Sequence, residues 1–370
     1  MAEAVGMAIH KKMDNIIFTD AKISKADHLK PLAFLYSNIK VGKKEMYINP
    51  LTLFTRLVAM VQREDDIEKF FEYELSTLTL SMFKDGMMRK ADKPQLRKHL
   101  IDNKVKESDS QGEIVLDGGA LLRRVRWNKL ETYSMTYKRY SKHIEQLYGR
   151  STVVFDGYTK SIKDHEHQRR EALAKTSADI KVNSSNKVYS NQEAFLTNKH
   201  NKEQFIHQLS NHLRDEGHEV INCIEDADTS IVSTALVIAK SNPVTVIADD
   251  ADIIFMLVYH FEDGMSDIYF KSNKVGRCWN VRDIVNSIGP VIKSFILFVH
   301  AWLGCDTTSF IYDQGKTSII KKILNSAKLR ELCTVVANPV ATAEEVGNAG
   351  KLIFLIMYGG KPSESITKLR

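Results

Sequence analysis

Cysteine is scarce in this chain, and what there is of it is scattered. The four thiols, Cys223, Cys278, Cys305 and Cys333, form no CxxC pair and no disulfide-like spacing. That argues against a structural zinc site and suits a reducing compartment. No basic stretch followed by an apolar segment and small residues opens the chain, so no signal peptide is read. The most apolar run, "SFILFVHAWLG", follows Lys293 and is too short to span a bilayer, so no membrane partner is expected. Internal repeats are lacking, and so is the signature of disorder. With 370 residues, 43% hydrophobic and 26% charged, the chain can bury one large or two ordinary cores. Nor is there a strong excess of one charge: the net +6 leans only mildly towards acidic partners such as nucleic acid.

The hydrophobic patterning is of two kinds. In the first hundred or so residues, "NPLTLFTRLVAMVQ", with Asn49 as cap and Pro50 at the first helical position, and "DDIEKFFEYELSTLTLSMF" repeat apolar residues at helical spacing. The polar stretch "DNKVKESDSQGE" reads as a linker. Beyond it, short apolar strands alternate with helical segments: "EIVLDGG", a helix from about Asn128 to Gly149, "STVVFDGY", a basic segment, "HEVINCIEDAD", a helix, "VTVIADDADI" and "SDIYFKSN". Such alternation predicts an α/β fold with a mostly parallel central sheet flanked by helices. From about Val281 the pattern is helical again, and "KTSADIKVNSSNKVYSNQ" is the best candidate for an excursion from the core.

Acidic residues recur where the strands end. Asp117 closes "EIVLDGG" and Asp156 closes "STVVFDGY"; Glu225, Asp226 and Asp228 follow "VINCI", and Asp250 and Asp252 follow "VTVIA". Asp306 sits in "HAWLGCDTTSF", where an apolar helix stops. Singly, each has an ordinary reading, because Asp-Gly favours turns and Asp is a good helix N-cap. Jointly, carboxylates at the ends of parallel strands share one edge of the sheet, where they repel unless cations lie among them. All-carboxylate sites without paired His or Cys suit Mg²⁺ or Mn²⁺, and two such ions can carry out phosphodiester displacement. His165 and His167, two residues apart, would not share a helical face and are poor joint ligands.

The ordered set "VLDGG", "VVFDGY", "EDAD", "ADDAD" and "GCDTT" resembles the PIN-like nucleases of the flap endonuclease and XPG type, over about Ile114 to Leu324. The resemblance implies a PIN-like, Rossmann-like fold and a divalent-metal-dependent nuclease of DNA or RNA, DNA ahead of RNA, working through two ions of Mg²⁺ or Mn²⁺. It implies Asp117, Asp156, Asp226, Asp228, Asp250, Asp252 and Asp306 as metal ligands, with Asp226 and Asp228 standing where the family has glutamates. Lys163 and Arg170, seven and fourteen residues after Asp156, take the places of the family's phosphate-contacting Lys and Arg, with Arg169 as a nearby substitute. Gly315 and Lys316 retain part of the helix-hairpin-helix element but lack its fuller Gly-x-Gly turn.

The domains implied are a helical region over 1–105, a nuclease domain over 106–330 and a helical tail over 331–370 that reads as truncated. Within the nuclease domain, an arch-like basic segment spans 161–205 and a degenerate helix-hairpin-helix spans 304–325. A closer likeness is to animal proteins present in many copies, as mobile elements are, which share "VVFDGY", "KDxxHQRR" and "GCDTTS" and carry no implied activity. The cysteine usage favours the cell interior, and the expected location is the nucleus ahead of the cytoplasm. The competing readings are a catalytically silent nucleic-acid-binding or scaffold protein of the same fold and a haloacid-dehalogenase-type phosphatase. The last requires a DxDx[TV] motif that "VLDGGALL" lacks.

Overall fold

A computed structural model describes residues 81–84, 87–90, 93–102, 104–157, 177–188, 191–224, 226–312 and 314–361, the backbone of 37–41 and 44–48, and Thr55. The chain divides into two compact units, 1–89 with 365–370, and 90–364. In the first unit the described residues form two antiparallel hairpins. β1 (Ser37–Val41) pairs with β2 (Lys44–Ile48), and β3 (Phe83–Lys84) pairs with β4 (Met87–Met88). Strands therefore stand in a region whose periodicity predicted helices. Of the two helices expected there, Thr55 is helical and Ser81–Phe83 is turn and strand, and the rest lies outside the described residues.

The second unit is built on a six-stranded sheet of order β10-β9-β8-β5-β6-β7, parallel except for the β9–β10 pair. Its strands are β5 (Glu113–Asp117), β6 (Ser151–Phe155), β7 (Glu219–Asn222), β8 (Val244–Ile247), β9 (Ile268–Ser272) and the antiparallel edge strand β10 (Arg277–Asn280). Along each central strand, alternate side chains enter opposite cores. Val115, Val154 and Val246 pack into one, and Leu116, Val153, Phe155 and Ile247 into the other. Burial on both faces is why these strands read as unbroken apolar runs rather than as alternating ones.

Helices cover both faces. One core takes α2 (Gly118–Arg124), α3 (Tyr133–Tyr148), α4 (Gln192–Thr197) and α5 (Lys199–Asp215). On α3, Tyr133, Tyr137, Tyr140 and Ile144 form the buried stripe, the Thr132 hydroxyl accepts from the Met135 N–H at the start, and Gly149 with φ 68° ends it. The other core takes α1 (Lys93–Arg97) with its π-helical continuation Lys98–Asp102, then α6 (Ala227–Ile238), α7 (Ala251–His260) and α8 (Val281–Trp302). It is completed by α9 (Lys316–Asn325), α10 (Ala327–Ala337) and α11 (Ala343–Met357).

Two expected boundaries shift as a result. Leu96, Leu100, Ile101 and Val105 lie in the same core as the sheet, so the unit begins ahead of residue 106. At the other end Leu332, Cys333, Ile353 and Met357 join that core, so 331–357 is integral to it rather than a tail. The polar stretch taken for a linker instead follows the sheet: Ser108 N–H donates to Cys278 O, and Gln111 N–H to Thr245 Oγ1. α8 is one helix, among the described residues, long and apolar enough by length and composition to cross a membrane. It is broken at Gly289 (φ 76°) ahead of Pro290, and buries Ile284, Ile292, Ile296 and Val299 in the core.

The glycines after β5 and β6 are demanded by close approach. A Cβ on Gly118 would lie 2.3 Å from Phe155 Cδ1 and 2.7 Å from Val154 O, and one on Gly157 would lie 2.0 Å from Ile224 O. Gly118→Ala is therefore expected to destabilise the protein by about 1–3 kcal/mol, the range for overpacking a filled site. Urea unfolding measures it, and an unchanged midpoint would show that the β5–β6 packing is looser than described.

Candidate metal centre

Connectivity concentrates the acids before any side chain is considered. β5 pairs with β8 and with β6 in parallel, Leu116 opposite Ile247 and Asp117 opposite Val154. From β5 the chain runs to β6 and β7, then returns to β8 on β5's other side. Chain direction across the sheet thus reverses between β5 and β8, the point at which open parallel sheets form a crevice beyond the strand ends.

The carboxylates meet at that edge. Asp228, Asp250 and Asp252 each offer an oxygen, and all three oxygens lie within 4.8 Å of one another. At an effective dielectric of ~20, full charges at such separations repel by roughly 3 kcal/mol per pair. Asp117 adjoins them. Burial pushes its pKa up to about 6, the charges of Asp156 and Asp250 push the same way, and the N–H groups of Ala120 and Gly119 oppose. Gly119 separates two of the acids: a Cβ there would stand 3.2 Å from Asp117 Oδ1 and 3.3 Å from Asp156 Oδ2.

Several of these acids also start helices. Asp117 Oδ1 accepts from the N–H groups of Gly119 (2.8 Å) and Ala120 (3.2 Å) at the start of α2. Asp250 Oδ1 accepts from the Asp252 N–H (2.9 Å) at the start of α7. On α6 the N-cap position belongs to Asp226, yet its side chain makes no cap bond; the Ala227 N–H donates instead to Asp156 Oδ1 across the strand gap (3.1 Å). Asp249, the first acid of "ADDAD", serves the scaffold. Its Oδ1 accepts from Ser272 Oγ (2.9 Å) and the Lys274 N–H (2.8 Å), and its Oδ2 from Arg124 (2.8 Å).

The other expected residues are placed as follows. Asp306 is half-buried in the loop after α8, two residues beyond Gly304. Gly315 is the N-cap of α9 in extended conformation, without a side-chain cap bond, and Lys316 is the first helical residue. Among the described residues, 304–325 thus holds an irregular loop and one helix rather than a compact helix-hairpin-helix. Lys163, Arg169, Arg170 and Glu225, with His165 and His167, lie outside the described residues.

Two neighbours of the acids were not expected. His300, in the last turn of α8, has Nε2 2.9 Å from Asp252 Oδ1. Its signal in the sequence was a histidine inside an otherwise apolar helical run. Lys202 on α5 is half-buried. Burial lowers its pKa, the charges of Asp156 and Asp117 raise it, and Arg123 lowers it. Nothing in the sequence marks that lysine apart from other surface lysines.

The elevated Asp117 pKa has a definite consequence for stability. Between about pH 4 and pH 6 the native protein keeps a proton that the unfolded chain has released, so this group's contribution to stability falls as pH rises through that window and stays lost above it. The full loss is at most about 3 kcal/mol. Asp117→Asn keeps an oxygen for the Gly119 and Ala120 N–H groups. It is expected to raise Tm in EDTA at pH 7.5, the gain shrinking to nothing by pH 4. Thermal melts across that range check it, and a gain independent of pH would rule out a buried carboxyl as the cause.

Comparison with known proteins gives the following. A model of a domain of unknown function (DUF8702) matches residues 1–74. No curated protein matches the chain significantly. Among solved structures, the chain is similar to the catalytic core of Rad2 in complex with DNA substrate, at 14% identity and TM-score 0.43, covering 70% of this chain and 77% of that one. It is similar also to the D15 protein of bacteriophage T5 co-crystallised with metal ions, at 14% identity and TM-score 0.41, covering 66% and 88%. A third is the T5 5′-exonuclease with bound zinc, at 16% identity and TM-score 0.40, covering 66% and 86%.

Proposed function

We propose that this chain is a divalent-metal-dependent nuclease that hydrolyses phosphodiester bonds of nucleic acid, DNA in preference to RNA, using two ions of Mg²⁺ or Mn²⁺. The observation that carries the reading is the convergence of Asp228, Asp250 and Asp252 within 4.8 Å, beside an Asp117 whose pKa the charges of Asp156 and Asp250 help to raise. Unneutralised, such a cluster works against folding; with cations present it becomes a binding site. The donors fit the proposed ions, because hard divalent cations take carboxylate oxygens and keep waters in their remaining positions.

In this reading Asp228, Asp250 and Asp252 hold one ion, and Asp117 and Asp156, with Asp226 and Asp306, serve the second or the waters around the pair. Two such ions supply activation of a water and stabilisation of the leaving oxygen. The remaining work belongs to the chain. Rigid strand ends fix the carboxylates, and the helix N-termini beneath them hold the orientation of Asp117 and Asp250 through their cap bonds. Lys163 and Arg170, with Arg169 nearby, are assigned the substrate phosphate by the motif resemblance, where positive charge offsets what develops during displacement. Gly315 and Lys316 offer backbone N–H groups and a point charge to a phosphate further along the strand.

The test is incubation of purified protein with labelled single-stranded, duplex and flapped DNA and with RNA, in Mg²⁺, Mn²⁺ or EDTA. Metal-dependent cleavage is expected. Binding without cleavage in any metal would favour the silent nucleic-acid-binding reading. Asp250→Asn with Asp252→Asn keeps the acceptor oxygens for the Asp252 N–H and His300 while removing ionic bonds to a cation. It is expected to leave a folded protein that cleaves at least 100-fold more slowly, about 3 kcal/mol in the barrier. Cleavage at the wild-type rate by that variant would reduce "ADDAD" to a strand end and a helix cap.

A further inference from the structure

We propose that His300 is a positioning residue of the carboxylate centre: its imidazole holds one oxygen of Asp252 from across the α7–α8 interface, so that the carboxylate is presented to a divalent cation in a fixed orientation. The inference rests on the metal-centre reading above and adds to it a residue that no motif assigns.

Geometry and burial carry it. His300 Nε2 lies 2.9 Å from Asp252 Oδ1, with 8% of the histidine side chain and 15% of the aspartate side chain exposed. A carboxylate oxygen accepts here, so the imidazole donates through Nε2, which leaves Nδ1 as the ring's second polar atom. That Nδ1 is buried and finds no hydrogen-bond partner among the described residues. A buried polar atom left unpaired forfeits its solvation without compensation. The surroundings offer no reason to accept that cost: the Phe255 ring centroid lies 4.9 Å from the imidazole, and Ile253 and Leu257 of α7 and Ile296 and Val299 of α8 are buried in one core. A leucine or phenylalanine would join the two helices with less penalty. What the histidine adds is a directed donor for Asp252.

The bond also completes a brace around the centre. Asp250 Oδ1 takes the Asp252 N–H from within the loop, and His300 takes the Asp252 carboxylate from a helix 48 residues away. The helix that carries His300 ends at Trp302, four residues before Asp306. Hydrogen bonds to ligating carboxylates of this kind typically govern metal affinity by 10–100-fold.

The test compares Mn²⁺ binding by calorimetry with melting temperature in EDTA, for wild type, His300→Phe and His300→Gln. Phenylalanine preserves the ring against Phe255 and removes the donor; glutamine restores a donor near the position of Nε2. The expected result is that His300→Phe binds Mn²⁺ about 10–100-fold more weakly while melting at or above the wild-type temperature, and that His300→Gln recovers most of the affinity. Wild-type Mn²⁺ affinity in the phenylalanine variant would overturn the proposal. So would parallel losses of affinity and stability that glutamine does not restore, which would make the contact merely structural. Should His300→Phe fail to fold, ¹⁵N-histidine spectra of the wild type decide. The resonance that disappears in His300→Gln must show a protonated Nε2 and shift on adding Mg²⁺, and its indifference to Mg²⁺ would equally overturn the inference. A wild type that binds no Mn²⁺ is a separate result, removing the metal-centre reading itself and this brace with it.

Discussion

Repulsion among carboxylates that the sheet forces together is the constraint around which the second unit is arranged. A parallel sheet sends every strand out at the same edge, so acids placed after β5, β6, β7 and β8 have nowhere else to go. What makes the arrangement foldable without cations is that the same edge gathers helix N-termini. α2, α6 and α7 all start there, each with unpaired N–H groups and a partial positive charge. Asp117, Asp156 and Asp250 each give one oxygen to those groups. Capping and metal binding are therefore not rival explanations of these residues. The caps make an acidic cluster tolerable and aim it.

Division of labour within short motifs follows from the same geometry. In "ADDAD", Asp249 is turned to Ser272, Lys274 and Arg124, tying the ends of β8 and β9 and the end of α2 together. Asp250 and Asp252 are turned to the cluster. Consecutive residues leaving a strand point in different directions, so adjacent aspartates can meet quite different partners. The glycines of "DGG" and "FDGY" belong to the same economy of space, because the acids can approach only if the backbones beneath them do. Gly118 closes on Phe155, Gly157 on Ile224, and Gly119 leaves room for two carboxylates on either side of it.

The central sheet was legible because strands buried on both faces leave an unambiguous apolar run, and the acids because Asp directly after such a run is conspicuous. The parts that escaped did so for physical reasons. The hairpins of the first unit lie beside the stretches whose helical periodicity makes the whole region read as helical, and strands of five residues or fewer offer little pattern to set against that. The start of the second unit was misplaced because a polar sequence reads as a linker, whereas this one runs along the sheet through backbone bonds that any sequence can make. Integration of 331–357 into the core was hidden because helical periodicity reveals that a face is buried but not against what. His300 and Lys202 are tertiary facts: each reaches the acids from a helix distant in sequence, and no local spacing encodes such a meeting.

Charge balance also governs how the proposed anionic substrate can meet the acidic edge. Alone, the cluster would repel a phosphate; a phosphodiester can approach only when cations lie between it and the carboxylates. In the proposed reading divalent ions provide that layer; Lys202 on α5, in the connection between β6 and β7, has its pKa lowered chiefly by burial, while the charges of Asp156 and Asp117 act to raise it. The segment assigned Lys163 and Arg170 belongs to the same connection. Along the sequence, the basic residues assigned to the substrate fall in one crossover connection and the acids directly after the strands. A mild net charge of +6 conceals this separation, because what matters for binding a phosphate backbone is where the two signs stand and not their sum.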